Sequence, residues 1–484
     1  MAIPSCLQEI RQLSFDKSLK QSLSQQLYMG LRQLMLNGQL PARCQLPSSR
    51  NLAEQLNLGR NTVMAAYEQL QAEGYISSKR GAGSFVASPL PDQLHSAKAS
   101  ILESSPATKT VQHNSQSSDD INQSFCVGVP DLSAFPHKIW QRIAQQLGKH
   151  SQDYMGYGDE AGFWPLRRAI ALYLQQSRAA NCRPEQVMIT AGAQQALDLC
   201  MRLLLSTDDV LAMESPGYRG VMRALRLTGN DHIPCPVDQH GLNPEVIFKA
   251  KQKPKLIYCS PANQYPMGEV LSLERKMALL NWAAGNDSWI IEDDYDSEYH
   301  YQHRPLACMQ GLDQHQRVIY MGSFSKTLYP GMRLGYLVLP EPLVKTFSQA
   351  RFASYGQPPL FSQAQVACFM EEGHFNRHLR RMRIAYKEKL LALQDAMRSL
   401  QPWGRTLERQ AGMHIVFIAK QGVEDRRLVS ELEKRKLYTS ALSEYCHGGE
   451  GLNGLVLGFA NTPADKMHRK VQLIRSALAE LYPL

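Results

Sequence analysis

A chain of 484 residues, 44% hydrophobic and 20% charged, is too long for one ordinary domain and apolar enough to bury a core along most of its length, which excludes a wholly disordered protein. The net charge of +9 is mildly basic, and on its own it fits a solvated surface as well as a nucleic-acid partner. No run approaches the roughly 18 apolar residues of a membrane span, MAIPSCLQEIRQL lacks the apolar core of a signal peptide, and the ten cysteines form no CxxC pair or His/Cys cluster, so a reduced, cytoplasmic protein without a bound metal is expected.

Residues 1–86 carry nine Lys/Arg against five acids, an asymmetry more informative than the total. Within them, SSRNLAEQLNLGRNTVMAAYEQLQAEGY (48–75) predicts a short helix over Ser49–Leu56 and a tight turn at Asn57–Gly59. A second helix follows, with Val63, Ala66, Tyr67 and Leu70 on one apolar face. Gly59 can cap it. Arg60, Asn61 and Thr62 then fall in its first turn, away from that face. This is the layout of a recognition helix, whose N-terminal residues meet base edges; Arg suits guanine and Asn adenine. YISSKRGAGSFV (75–86) predicts two short strands around Gly81–Gly83, a wing that offers Lys79 and Arg80 to phosphates. A small helical domain with a solvated basic face is the alternative. The segment closely resembles the GntR-type winged helix. That resemblance implies DNA contacts from Arg50, Arg60 and the wing around Arg80–Gly81, and Met64 departs from the polar residue often found at its position.

Residues 87–124 hold nine Ser, three Pro and no aromatic residue, which predicts a flexible linker. From 125 to 484, apolar runs alternate with helical patterns. The runs are VMIT (187–190), VLAM (210–213), LIYC (256–259), WIIED (289–293), VIYM (318–321) and LGYLVL (334–339). This predicts an α/β domain with a mostly parallel sheet and helices on both faces.

Two stretches of that domain carry chemistry. SFSKTLYPGMRLGY (323–336) puts Lys326 after a strand, with Ser323, Ser325 and Arg333 near it. A Schiff-base lysine in a preorganised loop fits, as does a merely solvated lysine. Arg333 suits a bidentate phosphate grip. WIIEDDYD (289–296) ends an apolar strand at Asp293, where ligands bind in doubly wound sheets. A buried carboxylate there needs a partner such as a protonated pyridine nitrogen. An acidic Mg²⁺ site from Asp293, Asp294 and Asp296 is the competing reading.

Together, Asp293-x-Tyr295, the SxSK lysine and Arg333 resemble the pattern of fold-type-I enzymes that use pyridoxal 5′-phosphate. YGDEAGFWPLRRAIALYL (157–174), TAGAQQALDL (190–199), ESPGYRG (214–220) and SPANQYPMG (260–268) resemble further landmarks of that group, in the right order. The resemblance implies that Lys326 joins the cofactor as a Schiff base and that Asp293 meets the ring nitrogen. It implies that Tyr295 and Asn263 lie beside the ring oxygen and that Tyr218 stacks on the ring. The phosphate falls to the amides of Ala193 and Gln194 with Ser323, Ser325 and Arg333.

With both modules in this order, and FCVGVPDLSAFPHKIW (125–140) opening the second, the chain resembles MocR/GabR-type regulators of the GntR superfamily. That implies a winged helix over 1–86, a linker over 87–124 and a fold-type-I aminotransferase-like domain over 125–484. A small C-terminal α+β subdomain would occupy roughly 345–484. It further implies DNA binding governed by an amino compound or by pyridoxal 5′-phosphate itself, in a domain-swapped homodimer where Tyr157 reaches the partner's cofactor phosphate. Such a regulator performs at most a transamination half-reaction; a working aminotransferase with a DNA-binding appendage is the alternative. Asn263 replaces the family's usual His, and Met267 its usual hydroxyl residue. The late strand LVLGFAN (455–461) lacks the Arg that commonly clamps an amino acid's carboxylate, which leaves Arg219 or Arg223 for that task.

Overall fold

The computed structural model describes residues 7–16, 21–79, 83–91, 124–301, 307–448 and 451–483. The chain divides into two compact units, Met1–His113 and Asn114–Leu484.

In the first unit, helix α1 (Leu23–Leu36) starts at Ser22, whose hydroxyl accepts from the Gln25 amide at 3.3 Å. Ser48 caps α2 (Ser49–Leu56) in the same way. Asn57, with φ +52°, ends α2; asparagine tolerates this left-handed conformation better than most residues. Helix α3 (Arg60–Ala72) follows directly and buries Val63, Ala66, Tyr67 and Leu70, the face that the spacing predicts. Strands β1 (Ile76–Lys79) and β2 (Gly83–Val86) pair antiparallel, Ile76 opposite Val86 and Lys79 opposite Gly83. Leu27, Leu31, Leu52, Val63, Leu70, Ile76 and Val86 share one core. Leu90, at the start of the predicted linker, packs into this core as well. Most of that linker lies outside the described residues, as do Arg80 and Gly81.

The second unit is built on an eight-stranded sheet, in the order β3-β10-β9-β8-β7-β4-β5-β6. The strands are β3 (Val187–Thr190), β4 (Leu211–Ser215), β5 (His232–Asp238), β6 (Gly241–Leu242), β7 (Leu256–Cys259), β8 (Trp289–Asp294), β9 (Val318–Ser323) and β10 (Gly335–Val338). The five central strands β5, β4, β7, β8 and β9 are parallel, and β10 runs against β9 and β3. Strands β3, β7 and β10 are buried along their whole length. Such continuous apolar runs are what helices on both faces require. A second, antiparallel sheet has the order β11-β12-β14-β13, from β11 (Gly404–Thr406), β12 (His414–Ala419), β13 (Ser440–Ala441) and β14 (Gly454–Gly458). The opening residues of the unit are tied to it. The Ser124 carbonyl accepts from the Tyr438 amide at 3.0 Å, and the Phe125 carbonyl from the Gly458 amide at 2.9 Å. This anchoring leads Val127–Val129 toward the large sheet. Among the described residues no helix is long and apolar enough to cross a membrane.

Candidate functional site

Strands β3, β4, β7, β8 and β9 point the same way, and the loops leaving their C-terminal ends converge. There they enclose a cavity of about 360 Å³, where open α/β sheets place ligands. The loop after β9 brings Ser323, Ser325, Lys326 and Arg333; β8 and its loop bring Asp293, Tyr295 and Asp296. The start of helix α4 (Ala193–Leu204) supplies Ala193 and Gln194, and the loop after β4 supplies Tyr218. Nine of the predicted residues thus meet in one place. Asn263 sits just behind, its amide donating to the Tyr295 hydroxyl at 3.2 Å and to Asp296 Oδ1 at 2.8 Å. Tyr157 stands apart from this lining and is 97% exposed.

Lys326 Nζ donates to the Gly128 carbonyl at 2.8 Å. A Cβ on Gly128, whose φ is +77°, would collide with that Nζ, so only glycine leaves the amine its place. Burial pushes the Lys326 ammonium below its ordinary range, against the pull of Asp296, Cys126 and Asp293. A larger share of the amine is then neutral and nucleophilic. Asp293 is buried and accepts from the Tyr258 hydroxyl. Burial lifts its carboxyl to about 7, with Asp294 adding to the rise and the Tyr258 bond and Lys326 opposing it. Asp296 is held well above the usual carboxylate range, again mainly by burial.

At the other end, Gly192 caps α4 with φ +85° and no side chain covers the first amides. Arg333 Nη2 donates to the Ala191 carbonyl at 3.1 Å, and a Cβ on Gly192 would come within 3.3 Å of that nitrogen. Uncapped amides, two serine hydroxyls and a guanidinium make an anion cradle.

These residues fit a pyridoxal 5′-phosphate group. The cradle suits its phosphate, Asp293 its ring nitrogen, and Lys326 its aldehyde. Among the described residues, Asp296 Oδ2 and Asn263 Oδ1 are buried without a hydrogen-bond partner, as expected of groups that face a polar ligand.

The acidic metal site is not formed. Side chains alternate along β8, so Asp294 turns away from the cavity and pairs with Arg178 at 2.7 Å, both nearly fully buried. Glu292, on the same face as Asp294, accepts from the Met309 and Gln310 amides at 2.8 Å. No group of three metal-ligating side chains occurs among the described residues.

Sequence reasoning missed several lining residues. Asp296, named only in the metal reading, and Tyr265 lie inside motifs singled out for their neighbours; alternation would have put Asp296 on the face of Asp294, and it lines the cavity because β8 ends at Asp294. Tyr265 packs edge-on against Tyr218, Tyr295 and His414 at centroid distances of 6.0, 5.5 and 5.1 Å. His414, on β12, faces the Pro266 carbonyl through Nε2 at 2.8 Å. Since a carbonyl only accepts, Nε2 carries the hydrogen. Burial lowers this imidazole to about 4, so it is neutral. His414 stands in none of the motifs read from the sequence, and Gly128 lies in one, 125–140, that marks only the opening of the second module.

The buried acids give the unit a pH signature. Burial raises Glu214 to about 8, and Glu292 and Asp293 to about 7. A carboxyl whose folded pKa lies above its unfolded value favours the fold at low pH, and that contribution is lost as pH rises through the folded pKa. Without cofactor, the denaturation midpoint followed by tryptophan fluorescence should therefore fall between about pH 5 and 8. All five tryptophans lie in the second unit. Glu214→Gln should flatten the slope by up to about 1.4 kcal/mol per pH unit; an unchanged slope would refute the assignment.

In the first unit Arg60 and Asn61 are exposed and Thr62 is half-buried, all in the first turn of α3. Arg50 is exposed on α2 and lies 3.8 Å from Glu54. Lys79 closes β1.

Comparison with known proteins agrees with both halves. Residues 23–86 match the family of bacterial regulatory proteins called gntR, and residues 123–451 match aminotransferase class I and II. "Probable rhizopine catabolism regulatory protein MocR" of Rhizobium meliloti is 36% identical over 479 residues, 97% of this chain and 96% of that protein. The "HTH-type pyridoxine biosynthesis transcriptional regulator PdxR" of Corynebacterium glutamicum is 31% identical over 459 residues, 95% and 96% of the two chains. Among solved structures, Pyrococcus horikoshii kynurenine aminotransferase superposes with a TM-score of 0.68 at 26% identity, covering 73% of this chain and 90% of that one. The α-aminoadipate aminotransferase LysN of Thermus thermophilus gives 0.69 at 27%, covering 74% and 92%. Regulators matched from end to end, and enzymes matched over the second unit alone, place the chain in the family of GntR-type transcriptional regulators that carry an aminotransferase class I and II domain.

Proposed function

We infer that this protein binds operator DNA through its winged helix and adjusts that binding according to what its second unit holds, pyridoxal 5′-phosphate and an amino compound. One observation carries the reading: Lys326, Asp293, Arg333 and the start of α4 line a single cavity, in a chain whose other unit exposes Arg60 and Asn61 at the head of a recognition helix. When bound, the cofactor supplies an aldehyde that captures amines and a ring that withdraws electrons. Asp293 would hold the ring nitrogen. Ser323, Ser325, Arg333 and the amides of Ala193 and Gln194 would hold the phosphate. Tyr218 would cover the ring, with Tyr295 and Asn263 beside its oxygen. Lys326 would provide the amine and afterwards hold or pass a proton at Nζ. An amino compound shifts DNA binding only if it binds two arrangements of the protein with different free energy.

The reading extends to a homodimer in which Tyr157, 97% exposed, reaches the partner's cofactor phosphate. It also assigns DNA contacts to Arg50, Asn61, Thr62 and the wing residues Lys79, Arg80 and Gly81. It does not require turnover: β14 (Gly454–Gly458) and the residues after it to Asn461 carry no arginine, and the carboxylate clamp of a full aminotransferase cycle is missing there. Repeated turnover between an amino donor and a keto acceptor would favour the enzyme reading instead.

The test is a footprint on DNA upstream of the protein's own gene, at one fixed salt concentration, with and without pyridoxal 5′-phosphate. The expected result is a protected site whose affinity changes with the cofactor. Arg60→Ala should cost about 1–3 kcal/mol of specific binding, roughly fivefold to 150-fold, while cofactor uptake by the second unit is unchanged. A variant that protects the site like the wild type would remove Arg60 from the interface.

A further inference from the structure

Asp296 has no task in the reading given above, although it is 1% exposed and lines the cavity with Lys326. β8 ends at Asp294, and the turn beyond it sets the Asp296 carboxyl against Asn263. Asn263 Nδ2 donates to Asp296 Oδ1 at 2.8 Å and to the Tyr295 hydroxyl oxygen at 3.2 Å. A carboxamide nitrogen carries two hydrogens, so both are used. The Tyr295 oxygen therefore accepts. Its own hydrogen meets no acceptor among the described residues and is left for a group in the cavity. A Cβ on Gly412, whose φ is +78°, would come within 2.6 Å of Asn263 Nδ2 and 2.9 Å of Asp296 Oδ2. The backbone leading into β12 thus closes the far side of the pair. That backbone is held to the same turn, Gly412 N donating to the Tyr299 carbonyl at 2.9 Å and Tyr301 N to the Gln410 carbonyl at 3.0 Å.

A hydroxyl hydrogen rotates to suit its surroundings, so a tyrosine alone leaves open whether it donates or accepts. Asn263 decides this by giving Tyr295 a hydrogen. Turned over, the same amide would offer Tyr295 its oxygen, and the hydroxyl would donate to Asn263 and not into the cavity. The Asp296 oxygen on the other side of the amide opposes that turn, because it needs the nitrogen. We propose that Asp296 is a positioning residue: it locks the Asn263 amide with its nitrogen toward Tyr295, and so commits the Tyr295 hydroxyl to donate to the cofactor's ring oxygen. The inference rests on the reading above that sets Tyr295 and Asn263 beside that oxygen. Lys326, Asp293, Cys126 and His414 also act on charge at this site, and Glu298 and Asp294 act on Asp296 itself. None of these six hydrogen-bonds Asn263 or Tyr295 among the described residues, so the direction of the tyrosine bond depends on Asp296.

The experiment loads the full chain with pyridoxal 5′-phosphate and follows the cofactor's visible absorbance against pH. A donor to the ring oxygen weakens that oxygen's hold on a proton at the nitrogen joining the cofactor to Lys326, so the proton leaves at lower pH. Tyr295→Phe should therefore raise the midpoint by about 1 pH unit. Asp296→Asn removes the carboxyl's charge and keeps an acceptor for Asn263; Asp296→Ala removes both. The Ala variant should titrate about 0.5–1 pH unit above the Asn variant, and the difference should vanish when Tyr295→Phe is added to each. Asn263→Ala removes the link itself. It should raise the wild-type midpoint by a similar amount, again only while Tyr295 is present, and it serves as the test if Asp296→Ala does not fold. Asn and Ala variants that titrate alike overturn the role of Asp296, and so does a difference that persists without the tyrosine hydroxyl. An Asn263→Ala midpoint equal to the wild type overturns it as well. In each of those cases a wild-type chain that still takes up and titrates the cofactor leaves the Lys326 reading standing. A wild-type chain that takes up no cofactor sinks both.

Discussion

Lys326→Ala should abolish covalent retention of pyridoxal 5′-phosphate. Wild-type protein given the cofactor and then borohydride should carry one label per chain, on Lys326; the variant should carry none. The argument rests on placement more than on the presence of a lysine. Nζ is steered by the Gly128 carbonyl at 2.8 Å, and burial lowers its pKa, so the neutral amine is better populated than in a solvated lysine. Noncovalent uptake should persist at higher cofactor concentration, since Asp293, Arg333 and the start of α4 are untouched. The footprint of the variant should no longer respond to the cofactor, while its cofactor-free affinity for DNA stays at the wild-type level. A variant still labelled at wild-type stoichiometry on another lysine would move the site. The same cavity lining offers no second lysine among the described residues.

Arg178→Met should be the most damaging single change to the second unit, lowering its stability by about 3–5 kcal/mol. Arg178 and Asp294 are 3% and 2% exposed and 2.7 Å apart, and Asp294 also accepts from the Tyr320 hydroxyl at 2.5 Å. Removing the guanidinium strands a buried carboxylate one residue from Asp293. Urea unfolding followed by tryptophan fluorescence reads this unit alone, because the first unit has no tryptophan. Asp294→Asn added to Arg178→Met should recover part of the loss, because the stranded charge is then gone. A single variant within about 0.5 kcal/mol of wild type would show that the pair contributes little.

Much of the site was legible because its motifs are local. A strand followed by a tight loop carries its ligand-facing residues within a few positions, so Asp293-x-Tyr295 and the SxSK lysine can be read without knowing the fold. Period 3.6 similarly identified Val63, Ala66, Tyr67 and Leu70 as the buried face of α3. The acidic run 292–296 shows where such reading stops. Alternation assigns Asp293 and Asp294 to opposite faces, yet only the packed structure supplies Arg178, 116 residues away, as the partner that pairs with Asp294 on the face away from the cavity.

By itself, the sequence determined the two-unit organisation, the helix Arg60–Ala72 with its buried face, the order of the motifs along the chain, and the loop that carries Lys326 into the cavity. These follow from periodicity, from turn residues and from motifs that span a loop. Only the tertiary structure decided that Gly128, 198 residues from Lys326, steers its amine, that His414 and Tyr265 complete the wall, and that Asp296 meets Asn263. It also decided which acids are hard to ionise. The physical reason is the same for each: desolvation, close packing and cavity shape are sums over neighbours brought together from distant segments, and no short window of sequence contains those neighbours.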